Sequence, residues 1–74
     1  MVSLQKIIGK NIAAYRKKLG LTQQELAVKL GLDKGSVSRM EVGRTVPRTN
    51  TLQKIANVLN VEAYRLLMPP KKKN

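Results

Sequence analysis

Apolar residues in this chain recur every three or four positions, in blocks that are repeatedly interrupted, and that spacing permits little except a set of short helices. Leu4, Ile8, Ile12, Tyr15 and Leu19 trace one helical face, with Ile7 and Ala14 widening it. Ser3 stands at its start as an N-cap and Gly20 at its end as a left-handed stop. Thr22 and Glu25 have capping-box spacing for a second helix, with Leu26, Ala27 and Leu30 inward and Gly31 closing it. Asp33 is placed to cap a third helix, Lys34 to Val42, which turns Val37 and Met40 inward and stops at Gly43. A fourth begins near Thr49 to Thr51, carries Leu52, Ile55, Ala56 and Leu59, and ends at Asn60. The last runs from Glu62 to Met68, ahead of Pro69-Pro70. No period-two run of β-branched residues is long enough for a strand. The pattern predicts an all-α fold, five short helices around one aliphatic core over residues 1–68, with a basic disordered tail at 69–74.

Composition narrows the chemistry. The 74 residues contain no Cys and no His, which removes a disulfide framework, the common zinc and copper ligands, and every nucleophile–His couple. The four acids are Glu25, Asp33, Glu41 and Glu62, and no pair of them is left for acid–base work, so the expectation is no enzyme, no metal and no cofactor. No segment approaches the roughly 18 apolar residues of a membrane span, and no leader is evident at the N-terminus, so a cytoplasmic location is expected. Fifteen Lys and Arg against four acids give a net charge of +11, which calls for a polyanionic partner. The cations are spread over every helix rather than along one amphipathic face, unlike a membrane-surface helix. Two Tyr are the only aromatics, too few for stacking on single-stranded nucleic acid.

The second and third helices are joined by a tight turn. Ala27 is small where the two would cross most closely, Gly31 supplies the turn, and Val37 sits midway along the third helix. In order, Leu21-Thr22-Gln23-Gln24-Glu25-Leu26-Ala27, then Gly31, then Val37-Ser38-Arg39-Met40-Glu41-Val42-Gly43-Arg44, then Pro47 resemble the lambda-repressor-like (Cro/repressor) helix-turn-helix family. Thr51-Leu52-Gln53-Lys54-Ile55-Ala56, Leu59-Asn60-Val61 and Leu66-Leu67 continue the resemblance, which covers about residues 4 to 68. Lys34-Gly35-Ser36 departs from the family's often Gln-rich start of the recognition helix, and Glu62 stands where the family prefers a short cap.

The resemblance implies a five-helix domain that binds double-stranded DNA as a transcriptional regulator, usually a repressor, acting as a homodimer on a palindromic operator. It carries no small-molecule ligand and no membrane contact. Lys34 and Gly35 match positions that point at base edges, and Ser38 and Arg39 follow on the outward face of the same helix. An Arg there has the donors for a bidentate contact with guanine. Gln23 matches a phosphate-binding position; Ser36, Arg44, Thr45 and Arg48 are further candidates for the backbone. Arg16 and Glu41 match a structural ion pair. Val58, Leu66, Leu67 and Met68 are candidates for a dimer surface, because the last helix holds more apolar residues than one packing face requires. The alternative is an antitoxin-type interaction module of a toxin–antitoxin pair that also binds its own promoter.

Overall fold

A computed structural model describes residues 3–69. Its elements are α1 (Leu4–Lys18), α2 (Gln23–Leu30), α3 (Lys34–Glu41), α4 (Thr49–Leu59) and a 3-10 helix (Ala63–Leu67). The fold is all-helical among the described residues, with four α-helices where five short helices are predicted. The last segment is a 3-10 turn for a physical reason. It is five residues long, Glu62 makes no side-chain cap, and its carbonyls are taken by another element. Nδ2 of the buried Asn11 on α1 donates to the carbonyls of Leu66 at 2.9 Å and Met68 at 2.6 Å, with Arg65 at 3.3 Å. An amide nitrogen has two hydrogens, so three carbonyls share them and need no i+4 donor.

The helix ends follow local chemistry. The Thr22 hydroxyl accepts from the Glu25 N–H at 3.0 Å, and the Glu25 carboxylate accepts from the Thr22 N–H at 2.8 Å. Gly31 closes α2 at φ 71°, where the Leu32 N–H reaches back to the Ala27 carbonyl at 2.9 Å. Asn60 is the one non-glycine residue with positive φ among those described, and it ends α4. Asp33 occupies the N-cap position of α3 but its side chain bonds no backbone N–H of the helix, contrary to its predicted capping role.

α2 and α3 have eight residues each, too short to hold together in isolation. Packing holds them. Ile8 and Ile12 of α1, Leu26, Ala27 and Leu30 of α2, Val37 and Met40 of α3, Ile55, Ala56 and Leu59 of α4, and Leu66 form one buried cluster. Each large aliphatic side chain among them contributes roughly 1.5–3 kcal/mol by leaving water. The buried face of α1 is shifted from the predicted stripe. Leu4, Ala14 and Leu19 are exposed, while Gly9, Asn11 and Arg16 are buried. Those three are polar or lack a side chain, so a hydropathy pattern cannot register them.

Candidate nucleic-acid interface

The C-terminal end of α3 is fixed to α1 and α2. Gly9 of α1 lies against the last carbonyls of α3: a Cβ at that position would overlap the Met40 carbonyl oxygen and stand 2.6 Å from that of Glu41. The glycine is what allows the two backbones to meet. One helical turn earlier on α1, Nε2 of Gln5 donates to the Gly43 carbonyl at 3.0 Å. Glu41 then gathers three donors: Nε of Arg16 at 2.6 Å, Nη2 of Arg16 at 3.0 Å and Nε2 of Gln23 at 2.9 Å. The third arm of Arg16 donates through Nη1 to the Leu21 carbonyl at 2.8 Å, just ahead of α2. The two charged side chains are 10% and 5% exposed, so this pair is shielded from water. Glu41, by its hydrogen bonds and then its charge, holds the Arg16 guanidinium above its already high proton affinity, against the opposing effect of desolvation.

The outer side of α3, from Asp33 ahead of its first turn to Arg39 in its last, is bonded differently. Lys34 and Arg39 are exposed, and Gly35, Ser36 and Ser38 are half-buried. Val37 and Met40 occupy the opposite side, against the core. A chain of polar contacts runs along the exposed side. Nη2 of Arg39 donates to the Ser36 hydroxyl oxygen at 3.3 Å, and that hydroxyl donates to Oδ1 of Asp33 at 2.6 Å. The Ser36 hydroxyl is the leading reason that the Asp33 carboxyl lies below its usual range. Gly35 leaves the space this chain occupies: a Cβ there would be 3.0 Å from Oδ2 of Asp33 and 3.1 Å from Nη1 of Arg39.

The remaining predicted site residues flank α3. Gln23 opens α2, half-buried, with its side-chain amide donating to Glu41 and to no other acceptor among the described residues. The first-turn N–H groups of Gln23 and Gln24 have no intrahelical acceptor, which suits an anion. Arg44, Thr45 and Arg48 are exposed in the loop between α3 and α4; the Arg44 N–H closes α3 on the Arg39 carbonyl at 2.9 Å. Ser36, predicted to contact phosphate, has its single hydroxyl proton committed to Asp33. Leu66, predicted at a dimer surface, is fully buried in the protomer core. Val58 is partly covered, packed against that core. Leu67 and Met68 are open to solvent, and so is Tyr64, with the Arg65 guanidinium 5.8 Å from its ring centroid. The predicted tail at Lys71 to Lys73 lies outside the described residues. Among the described residues no cluster of acids has the makings of a metal site, and no helix is long and apolar enough to cross a membrane.

Residues 12–66 match the helix-turn-helix family. This chain belongs to the helix-turn-helix family. Its members include an uncharacterised HTH-type transcriptional regulator, y4dJ, of Sinorhizobium fredii, 34% identical over 68 residues that make up 92% of this chain and 88% of the relative. Among solved structures, the hypothetical transcription factor NHTF from Neisseria superposes with a TM-score of 0.87 at 37% identity, over 92% of this chain and 78% of that one. The biofilm master regulator SinR, solved in complex with DNA, superposes with a TM-score of 0.77 at 37% identity, over 82% of this chain and 98% of the SinR chain in that structure. Full-length SinR of Bacillus subtilis is longer; the match spans 56% of it. In this helix-turn-helix chain, α2 and α3 are the motif and α3 takes the place of its second helix.

Hydropathy and motif spacing do not reveal the roles of Gly9, Asn11 and Gln5 or the contacts among Asp33, Ser36 and Arg39. Asp33, Ser36 and Arg39 did carry a signal: steps of three residues place them along one ridge of a helix.

Proposed function

We propose that this chain is a sequence-specific, double-stranded-DNA-binding transcriptional regulator, acting as a repressor, that reads the major groove with α3. The observation that carries the reading is the asymmetry of α3. Its C-terminal end is clamped to the rest of the domain through Glu41, while Lys34, Gly35, Ser38 and Arg39 lie along its outer side, from the first turn to the last. Helices of this motif enter the groove by their N-terminal residues. Arg39 donates to guanine, and Lys34 adds a flexible charge in the first turn. Gln23, through its second amide hydrogen and the open N–H groups of α2, and Arg44, Thr45 and Arg48, in the following loop, grip the phosphates on either side. The relatives' description as transcriptional regulators and the SinR complex with DNA support this reading.

The protein acts as a homodimer on a palindromic site, with two copies of α3 about 34 Å apart. Leu67 and Met68, joined by Tyr64, supply the apolar surface for it. The bound dimer blocks polymerase sterically. Selection of bound duplexes from a randomised pool tests all of this together. A palindrome with half-sites one helical turn apart is the expected product; a pool that stays random after repeated rounds rejects the reading.

A further inference from the structure

The acid at the start of α3 sits awkwardly in a DNA-reading surface. A carboxylate at a groove repels phosphate, and this one does not even cap its helix. Its contacts give it another use. Asp33 accepts the only proton of the Ser36 hydroxyl, at 2.6 Å. The lone pairs of that oxygen are therefore turned away from Asp33, and one of them receives Nη2 of Arg39. The direction of the chain is fixed: Arg39 donates to Ser36, and Ser36 donates to Asp33. Gly35 completes the arrangement, because a Cβ there would stand 3.1 Å from Nη1 of Arg39 and crowd the guanidinium. An Arg side chain otherwise carries large rotamer freedom, which binding must suppress.

We propose that Asp33, Ser36 and Gly35 are positioning residues that hold the Arg39 guanidinium over the first turn of α3, oriented for a guanine edge, and so set the base preference of this protein. The inference rests on the base-reading role of Arg39 given above. Neither Asp33 nor Ser36 contacts DNA in this scheme. They act by limiting where the guanidinium points, leaving its remaining donors for O6 and N7.

The test compares the whole protein with Arg39→Ala, Ser36→Ala, Ser36→Thr and Gly35→Ala variants. Each is carried through duplex selection from a randomised pool, affinity measurement on the wild-type site, and thermal melting. Arg39→Ala is expected to relax one base-pair position and weaken specific binding about 5- to 150-fold. Ser36→Ala is expected to relax that same position by a smaller factor, on the order of fivefold, with the salt dependence unchanged because no charge is lost. Ser36→Thr keeps the hydroxyl and is expected to restore the preference. Gly35→Ala gives the sharpest separation. Ala favours the helix, so Tm rises by a few degrees, while the new methyl group crowds the guanidinium, shifts it by a few tenths of an ångström and lowers the preference.

A role for Ser36 and Gly35 in folding alone predicts that preference does not change in either variant, and that result overturns the proposal. If Arg39→Ala relaxes the position and Ser36→Ala and Gly35→Ala do not, the positioning role is wrong and base reading by Arg39 stands. If Arg39→Ala leaves the selected site unaltered, base reading by Arg39 fails, and the positioning role with it.

Discussion

The C-terminal end of α3 and its outer side are built on opposite principles. At the C-terminal end everything is committed: a backbone-to-backbone approach at Gly9, a shielded ion pair between Arg16 and Glu41, and a third donor from Gln23. Along the outer side, from Asp33 to Arg39 in the last turn, the polar groups are exposed or half-buried and bonded to one another, as Arg39, Ser36 and Asp33. The first arrangement makes α3 part of α1 and α2. The second leaves a charged face that nothing among the described residues covers. A reading element needs both, because side chains select bases only when the helix beneath them does not shift.

Breaking the anchored end should have the largest effect. Glu41→Ala leaves the Arg16 guanidinium shielded and unpaired, and a loss of about 3–5 kcal/mol is expected in denaturant unfolding. Gly9→Ala comes next. Its methyl group meets backbone rather than a yielding side chain, so α1 and α3 must separate, at about 1–3 kcal/mol by overpacking. A stability equal to wild type in either variant would show that this end is not the anchor.

Much of the scaffold was legible because its determinants are local. The capping box of Thr22 and Glu25, the left-handed stops at Gly20, Gly31 and Gly43, and the turn at Asn60 depend on residues within a few positions of one another. Periodicity identified Ile8, Ile12, Leu26, Ala27, Leu30, Val37, Met40, Ile55, Ala56 and Leu59 as inward-facing. What failed was tertiary. Gly9 and Asn11 have meaning only beside α3 and the C-terminal turn, which are far away in sequence. Leu66 and its neighbours divided differently from a regular α-helix, because a 3-10 turn buries one residue and leaves Leu67 and Met68 outside. The Arg16–Glu41 contact spans 25 residues; it came from family resemblance, and no spacing rule supplies it. On the site itself, the outward direction of Lys34 and Arg39 followed from the burial of Val37 and Met40. The bonding of Asp33 to Ser36 did not, since an Asp ahead of a helix reads first as a cap.

The smallest expected effect sharpens the comparison from a third position, the start of α2. Thr22, by its backbone N–H first and its hydroxyl second, holds the exposed Glu25 carboxyl below its usual range. A depressed folded-state value means that this stabilisation is complete above the ordinary glutamate range and is lost as pH falls through that range to the folded value. Glu25→Ala, which removes the carboxylate that both Thr22 donors hold, should lower stability slightly at neutral pH and lessen its decline under acid. An acid titration of Tm that is superimposable on wild type would remove the capping box from the account.

The division of α3 into an anchored C-terminal end and a reading side is tested most directly by site selection with the Arg39→Ala protein, accompanied by its melting curve. The account predicts an unchanged Tm, the same half-site spacing as wild type, and loss of preference at a single position in each half-site. A selected site indistinguishable from that of the wild-type protein, or a Tm lowered as far as by Glu41→Ala, would contradict it.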